Sequence, residues 1–147
     1  MKNIDQTYPK SPSPCHCLNI RRASRAVTQF YDEVLRPSGL TVAQFGLLRN
    51  LTAGERITIS ELAKMTRIDR TTLNRNMKPL ADAGLIVINP GKDSRTRQVA
   101  LTEPGKDAVA TAKERWEEAQ AAIREYLGET DLATLARLLS KLEAIVP

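Results

Sequence analysis

The stretch that decides the fold is residues 69–102, with the sequence DRTTLNRNMKPLADAGLIVINPGKDSRTRQVALT. Its first half predicts a helix that begins after Asp69, a favoured N-cap residue, and ends near Gly84, because apolar residues recur there every three or four positions. Its second half predicts two strands, over 85–88 and 97–101, because β-branched and apolar residues dominate both segments. The polar residues between them have the composition of a hairpin loop. A helix therefore leads directly into a β-hairpin.

The predicted helix has one apolar face and one polar, basic face. At about 100° per residue, Leu73, Met77 and Leu80 fall together, and polar side chains occupy the opposite side. Such a helix suits the major groove of double-stranded DNA, where Arg75 is the best candidate to contact guanine and threonines can contact phosphates or thymine methyl groups. The alternative is an ordinary amphipathic helix whose outer face is only solvated. The candidate DNA contacts on this helix are Arg70, Thr71, Thr72, Asn74, Arg75 and Lys78.

The loop of the hairpin carries a second basic cluster. Lys92, Arg95 and Arg97 lie there with one acidic residue, Asp93. An arginine on a narrow loop can enter the minor groove, and Asp93 can hold the guanidinium of Arg95 by a charge-assisted hydrogen bond. The alternative is a polar turn that happens to be cationic. A basic helix followed by a basic hairpin loop favours the DNA-binding interpretation. The candidate contacts in the loop are Lys92, Asp93, Arg95 and Arg97.

Outside this stretch, the apolar spacing predicts further helices. A first helix covers about 15–36, and a very short strand lies around 57–59. The remaining helices have predicted N-caps at Thr41, Ser60, Thr102 and Asp131, and the helix after Thr41 closes near Gly54. The order of helix, tight turn, helix and β-hairpin is typical of a winged helix-turn-helix. The predicted fold is mainly α with a small β-wing, and its winged helix-turn-helix core covers about 41–102.

The helices on either side of the winged core carry apolar stripes that this core is too small to cover. We therefore expect the segments of about 15–36 and 103–146 to be dimerisation helices, within a single domain of residues 15–147. The alternative is a monomer in which these helices form an intrachain bundle. Residues 1–14, with three prolines, are expected to be a flexible N-terminal arm.

The distribution of charge agrees with this division. The 147 residues carry 22 Lys and Arg against 17 Asp and Glu, a net charge of +5. Residues 56–97 hold nine basic and four acidic side chains, whereas residues 98–147 hold six basic and nine acidic ones. The positive excess thus lies on the winged core, as a polyanion-binding surface requires, and the C-terminal helices are acidic.

Other functional classes find little support in the sequence. No run of about 18 apolar residues predicts a membrane span, and no apolar segment near the N-terminus predicts a secretory signal, so a cytoplasmic location is expected. One His and two Cys are too few for an ordinary His-rich catalytic metal site within one chain. Without paired carboxylates or a glycine-rich phosphate loop, the chain is not expected to be an enzyme or to need a cofactor.

Cys15 and Cys17, which flank His16, form the one local cluster of chemical interest. In a reducing cytoplasm two such thiols are usually ordinary free cysteines. The alternative is a redox sensor, because a thiol near a helix N-terminus oxidises more readily. The expected oxidised form is a crosslink between protomers, since positions i and i+2 are awkward for an intrachain disulfide. A metal site would require ligands from a second protomer.

Several segments of the chain match the motifs of a known family. They are residues 59–63 (ISELA), 69–75 (DRTTLNR) with Leu80, 83–86 (AGLI) and 93–102 (DSRTRQVALT) with Gly105. On these segments the chain resembles the multiple antibiotic resistance regulator (MarR) family over nearly its whole length. The resemblance implies a homodimeric transcriptional regulator that binds pseudo-palindromic DNA and often releases it when a small molecule or oxidant arrives. It also implies that 70–83 is the recognition helix and that Arg95 is the wing-tip arginine.

The resemblance further implies a ligand pocket between the dimerisation helices and the winged core. Phe30, Tyr31 and Trp116 are candidate lining residues for a small-molecule effector, and each can equally be a packing residue. The main alternative function is a winged-helix protein-interaction module without specific DNA binding. Such a module has no need of basic side chains converging on one surface, so the charge pattern favours a sequence-specific DNA-binding regulator, most simply a repressor.

Overall fold

Six α-helices and three short strands make up the fold in the computed structural model, which describes Ile4 and residues 10–51, 55–93 and 96–147. The elements are α1 (His16–Leu35), a 3-10 turn (Arg36–Ser38), α2 (Val42–Leu48), β1 (Arg56–Thr58), α3 (Ile59–Thr66), α4 (Arg70–Asp82), β2 (Ile86–Asn89), β3 (Gln98–Leu101), α5 (Glu103–Leu127) and α6 (Glu129–Glu143). The expectation of a mainly α fold with a small β-wing is confirmed. None of the described helices is long and apolar enough to cross a membrane.

The strands form one antiparallel sheet in the order β1-β3-β2. β3 lies in the middle, and its Val99 is fully buried between the register partners Ile57 of β1 and Ile88 of β2. β2 and β3 are the two arms of the predicted hairpin, which we call the wing. Because β1 directly precedes α3, its pairing with β3 ties the wing to the helix-turn-helix. The backbone N–H of Ile59 extends this link by donating to the carbonyl of Arg97 at 2.9 Å.

Three of the predicted N-caps are confirmed. The hydroxyl of Thr41 accepts from the backbone N–H of Gln44, whose side chain accepts in return from the backbone N–H of Thr41, and this completes a capping box. Asp69 caps α4, and Thr102 caps α5, each through the backbone N–H three residues further on. These starts are predictable because a cap satisfies orphan N–H groups within its own first turn.

Two other predicted helix starts are wrong. The N-cap of α3 is Thr58, whose hydroxyl accepts from the backbone N–H of Glu61, so Ser60 lies inside the helix. The carboxylate of Glu61 accepts in return from the backbone N–H of Thr58. This reciprocal pair starts the helix two residues earlier than expected. α6 begins directly after Gly128, so Asp131 lies in its first turn, where a negative charge complements the helix dipole.

Some sequence-based boundaries lie beyond the described residues. The predicted helix end near Gly54 and most of the predicted arm at 1–14 fall there, and the described residues 10–14 belong to no helix or strand. α2 itself ends at Leu48, earlier than predicted, and the chain then turns through bonds from Asn50 to Leu47 and from Leu51 to Leu48. The first helix starts within one residue of its expected position.

The hydrophobic core lies where the winged unit meets α1 and α5. Its largest fully buried side chains are Leu35, Leu48, Ile59, Leu62, Leu73, Met77, Leu80 and Val99. α6 packs against α5 but buries none of its own residues in the single chain. The core is therefore shared by the winged unit, α1 and α5, whereas α6 leaves its apolar side exposed.

The base of the wing, the end of α4 and the start of α5 meet at one tight junction. The Thr102 hydroxyl donates to the carbonyl of Gly84 at 2.7 Å, and the Thr102 N–H donates to the carbonyl of Leu85 at 3.1 Å. Gly105 lies one turn further along α5, and a Cβ there would overlap the carbonyl oxygen of Leu85 and come within 2.7 Å of a Leu101 methyl. A side chain at this position would force the backbones apart.

Replacing Gly105 with alanine should therefore destabilise the protein by about 1–3 kcal/mol, the usual cost of overpacking a core. Chemical denaturation followed by circular dichroism measures this change. Gly46→Ala is the matched control, because Gly46 lies within α2 and a Cβ there meets nothing within 4 Å. It should raise stability by about 0.5–1 kcal/mol. Equal effects of the two substitutions would contradict the close approach.

Candidate nucleic-acid interface

The start of α4 is fixed by a carboxylate cap. Asp69 accepts from the backbone N–H of Thr72 at 2.9 Å and from the Thr72 hydroxyl at 2.8 Å. The backbone hydrogen bond from Thr72 is the main cause that holds the pKa of Asp69 below its usual value, with the nearby positive charge of Arg75 a smaller contribution. The hydroxyl of Thr72 is thus engaged by the cap, while Thr71 is exposed.

The two faces of α4 are those that the sequence predicts. Leu73, Met77 and Leu80 are buried in the core. The exposed side chains include Arg70, Thr71, Arg75 and Lys78, whereas Thr72 and Asn74 are half-buried. Four of the six candidate contacts on this helix are therefore presented to solvent on one element, in the arrangement that a major groove can accept.

Two basic side chains, one on α4 and one in the turn before it, form ion pairs. The ammonium group of Lys78 lies 3.5 Å from the carboxylate of Asp82, one turn further along the helix. Arg67, in the turn between α3 and α4, adopts the left-handed conformation with φ 56°, alone among the described non-glycine residues. Its guanidinium pairs with Glu143 at the end of α6, a contact between residues 76 positions apart that no local sequence signal predicts.

The wing loop is organised around Asp93 and Thr96. The N–H of Thr96 donates to the Asp93 carboxylate at 3.1 Å and to its carbonyl at 3.3 Å, and the N–H of Asp93 donates to the Thr96 hydroxyl at 3.1 Å. Lys92 is exposed beside this turn. Arg95 lies outside the described residues, and with it the expected hydrogen bond from its guanidinium to Asp93. Asp93 therefore shapes the loop through the backbone as well as carrying charge.

Arg97 is the last residue of the wing loop and directly precedes β3, whose first residue pairs with Asn89 of β2. Its side chain is half-buried, and its backbone carbonyl accepts from the N–H of Ile59 at 2.9 Å. The strand pairing of β1 with β3 explains this, because it reaches to the very start of the second arm.

The three candidate pocket residues belong to two separate aromatic groups. Phe30 and Tyr31 of α1 form an edge-to-face pair with ring centroids 6.0 Å apart, and the Tyr31 hydroxyl donates to the side chain of Gln120 on α5. Burial raises the pKa of Tyr31. Trp116 instead packs against Phe45 at 5.9 Å between ring centroids. Each of the three residues thus makes a side-chain packing or hydrogen-bond contact, and Phe30 and Trp116 remain partly exposed.

A cation–π contact that the sequence does not predict joins the end of α2 to α5. The guanidinium carbon of Arg49 lies 4.7 Å from the ring centroid of Trp116 and 5.5 Å from that of Phe45. Arg49 follows α2 as its C-cap residue, so the charge also suits the end of the helix dipole. No spacing rule marks this position, because the contact depends on how two distant helices cross.

The two cysteines lie at the start of α1. Cys15 is its N-cap residue and Cys17 lies in its first turn, and both thiols are exposed and unpaired. Ser13 and Asn19 fasten this segment, since the N–H of Ser13 donates to the Asn19 side chain at 2.7 Å, and the Asn19 amide donates to the Ser13 carbonyl at 2.9 Å. Among the described residues, no group of three His, Cys, Asp or Glu side chains is placed to hold a metal ion.

The outer faces of α1 and α6 expose apolar side chains. On α6 they are Leu135, Leu138, Leu139 and Leu142, followed by Ile145 and Val146, and on α1 they include Ile20 and Val27. Ile20 and Val27 belong to the apolar stripe predicted for the first helix, and this part of the stripe is uncovered in the single chain. Contiguous exposed apolar surface of this kind marks an interaction face.

Comparison with known proteins identifies the same fold and class. The model of the MarR family matches residues 38–96. The chain is 36% identical to the M. tuberculosis transcriptional regulator MosR, whose structure in complex with DNA matches with a TM-score of 0.74 over 90% of this chain and 99% of that one. An uncharacterized HTH-type transcriptional regulator of Bacillus cereus is 27% identical over 125 residues, 84% of each chain.

A second DNA complex gives a similar match. A mutant MarR from E. coli, complexed with operator DNA, is 26% identical, with a TM-score of 0.72 over 84% of this chain and 89% of that one. These proteins are transcription regulators, and this class agrees with the expectation that the chain is not an enzyme. The MarR family match runs from the 3-10 turn into the wing loop, and it contains every candidate DNA contact except Arg97.

Proposed function

The chain belongs to the MarR family of winged helix-turn-helix transcriptional regulators, and from this premise we propose that it binds a pseudo-palindromic operator as a homodimer. In this proposal α4 enters the major groove and the wing lies against the flanking DNA. The observation that carries the proposal is the division of α4 into a buried apolar face and an exposed face with Arg70, Thr71, Arg75 and Lys78. We further propose that it acts in the cytoplasm as a repressor.

The side chains at the interface would have distinct roles. Arg75 would contact guanine through two hydrogen bonds, and Thr71 would contact a phosphate or a thymine methyl group. Lys78, Lys92 and Arg97 would neutralise phosphates, and these contacts supply affinity but little specificity. The full set proposed to contact or support DNA is Arg70, Thr71, Thr72, Asn74, Arg75, Lys78, Lys92, Asp93, Arg95 and Arg97.

The exposed apolar faces support a dimer. Segments 15–36 and 103–146 would pack against those of a second copy, while the winged core of about 41–102 remains free to bind DNA. Each large side chain that becomes fully buried contributes roughly 1.5–3 kcal/mol. The two recognition helices would then meet major-groove faces about 34 Å apart, one turn of the duplex, as a two-fold operator requires.

The two exposed thiols support control by oxidation. Cys15 and Cys17 lie next to the apolar face of α1 that the dimer would bury, so a disulfide between protomers could alter how the two winged cores are spaced. The hydrogen bonds between Ser13 and Asn19 hold the chain before α1 against the first turn of the helix, and so fix the position of the two cysteines. We propose that such oxidation releases the DNA.

DNA affinity should fall steeply with salt, because binding releases counterions from several phosphates. Lys78→Ala should weaken binding and make the slope of log K against log salt shallower by about 2, one phosphate contact for each protomer. Fluorescence anisotropy with duplex DNA measures both quantities. Lys113→Ala is the matched control, since Lys113 also forms an exposed i,i+4 pair, with Glu117 at 3.9 Å, but lies on α5.

A weak response to salt, or equal effects of the two lysine substitutions, would contradict the proposed interface. It would favour instead a winged-helix module that binds protein. Arg75→Ala sharpens this test, because loss of a guanine contact should relax base preference by roughly 1–3 kcal/mol rather than weaken all sequences alike.

The dimer should depend on the apolar face of α6. Leu139→Glu places a charge on this face and should raise the dimer dissociation constant at least about tenfold, which sedimentation velocity measures. Val87→Glu is the control, because Val87 on β2 is 47% exposed, close to the 45% of Leu139, but lies in the wing. A dimer that survives Leu139→Glu unchanged would place the interface elsewhere.

Peroxide should release the wild-type protein from DNA and produce a disulfide-linked dimer on a non-reducing gel. The variant with Cys15→Ser and Cys17→Ser should keep its DNA affinity under the same treatment, since no thiol remains to be oxidised. Restoration of wild-type binding by a reducing agent is the internal control. Release of the double variant by peroxide would exclude these cysteines as the sensor.

A further inference from the structure

Asn74 carries an unsatisfied polar atom in the recognition helix. Its Oδ1 is shielded from solvent and has no hydrogen-bond partner, and no other buried side-chain oxygen or nitrogen in the described part of the chain is in this state. A buried acceptor without a donor destabilises a folded protein, so such groups in native structures call for an explanation. The remainder of the Asn74 side chain is half-buried rather than enclosed.

Asn19 and Asn50, by contrast, have side-chain hydrogen-bond partners. Asn50 donates from its side chain to the carbonyl of Gly46 at 2.6 Å and so closes the end of α2. Asn19 both accepts from and donates to Ser13. The cap of α4 is already supplied by Asp69, so the fold gives Asn74 no local structural task of the usual kind.

Asn74 lies at the edge of the exposed face of α4. It lies one turn after Arg70 and one turn before Lys78, in a row of residues four apart along one side of α4. Both neighbours in the row are exposed cations, whereas Leu73 on the adjacent side is fully buried. Asn74 thus sits at the border between the core and the basic face, where a rotation of its side chain exchanges one environment for the other.

We propose that Asn74 reads an adenine in the operator. On binding, the side chain turns outward, its Nδ2 donates to adenine N7, and its Oδ1 accepts from the adenine N6 amino group, the two-bond pairing that asparagine makes in the major groove. This inference rests on the proposed placement of α4 in that groove. The acceptor that lacks a donor in the free protein gains one from the base.

Substitution of Asn74 should not destabilise the free protein. Removal of the amide should relieve the free protein of its unsatisfied acceptor, so Asn74→Ala should not lower the melting temperature, and Asn74→Leu, which also restores apolar volume, should raise it. Asn50→Ala is the control, because it removes a hydrogen bond that exists in the free protein and should lower the melting temperature. Both Asn74 variants should weaken DNA binding.

The base is identified by combining protein and DNA changes. The probe is a duplex enriched by the wild-type protein from a randomised library, in which each adenine in turn is replaced by purine, which lacks the 6-amino group. Wild-type affinity should fall roughly tenfold or more at one adenine in each half-site. Asn74→Ala should bind the parent duplex with about that lower affinity and show no further loss at the same adenine.

Each other outcome overturns the inference. If Asn74→Ala and Asn74→Leu lower the melting temperature as Asn50→Ala does, the side chain is structural. If purine substitution costs the wild type and Asn74→Ala the same, another residue reads that base. If the wild type binds its duplex tightly but tolerates purine everywhere, adenine reading is wrong while the proposed function stands. If the wild type enriches no duplex, the proposed function itself fails.

Discussion

Burial of one face of α4 is the constraint on which the DNA-reading surface depends. Leu73, Met77 and Leu80 fix the rotation of the helix about its own axis, because turning it by a single residue would move an apolar side chain into solvent and a charged one into the core. The far end of α4 is then held by the junction of Gly84 with Thr102. Hydrophobic packing therefore decides which side chains α4 presents to solvent, and so which would meet the bases in the proposed complex.

The packing of the other helices supports the proposed dimer. Close packing of α1 on α5 is possible because small residues, Ala112, Ala119 and Ala122, form the buried side of α5. α6 packs on α5, and its apolar side chains remain exposed at Leu135, Leu138, Leu139 and Leu142. As α5 is 25 residues and thus about 37 Å long, a dimer formed through these helices would hold two winged cores at a fixed separation.

Features set within one helical turn were predictable from the sequence, and those set by the crossing of distant elements were not. Asp69 and Thr102 could be identified as caps because the groups they satisfy lie three residues away. The prediction of Ser60 as the N-cap of α3 was wrong because Thr58 can also cap this helix. Only Thr58 forms the reciprocal pair of hydrogen bonds with Glu61. The pairing of Arg67 with Glu143 and the orphan acceptor of Asn74 arise only in three dimensions.

The four acidic residues within the basic segment 56–97 all have structural partners. Glu61 and Asp69 hold the first turns of α3 and α4, Asp93 holds the turn of the wing loop, and Asp82 lies beside Lys78. All four acids between 56 and 97 thus have local structural partners within the described residues. The four carboxylates keep their negative charge in these roles, and against the nine cations of this segment they leave a net charge of +5. A field that the chain does not neutralise internally is available to attract a polyanion, so the composition of this segment and its packing point to the same partner.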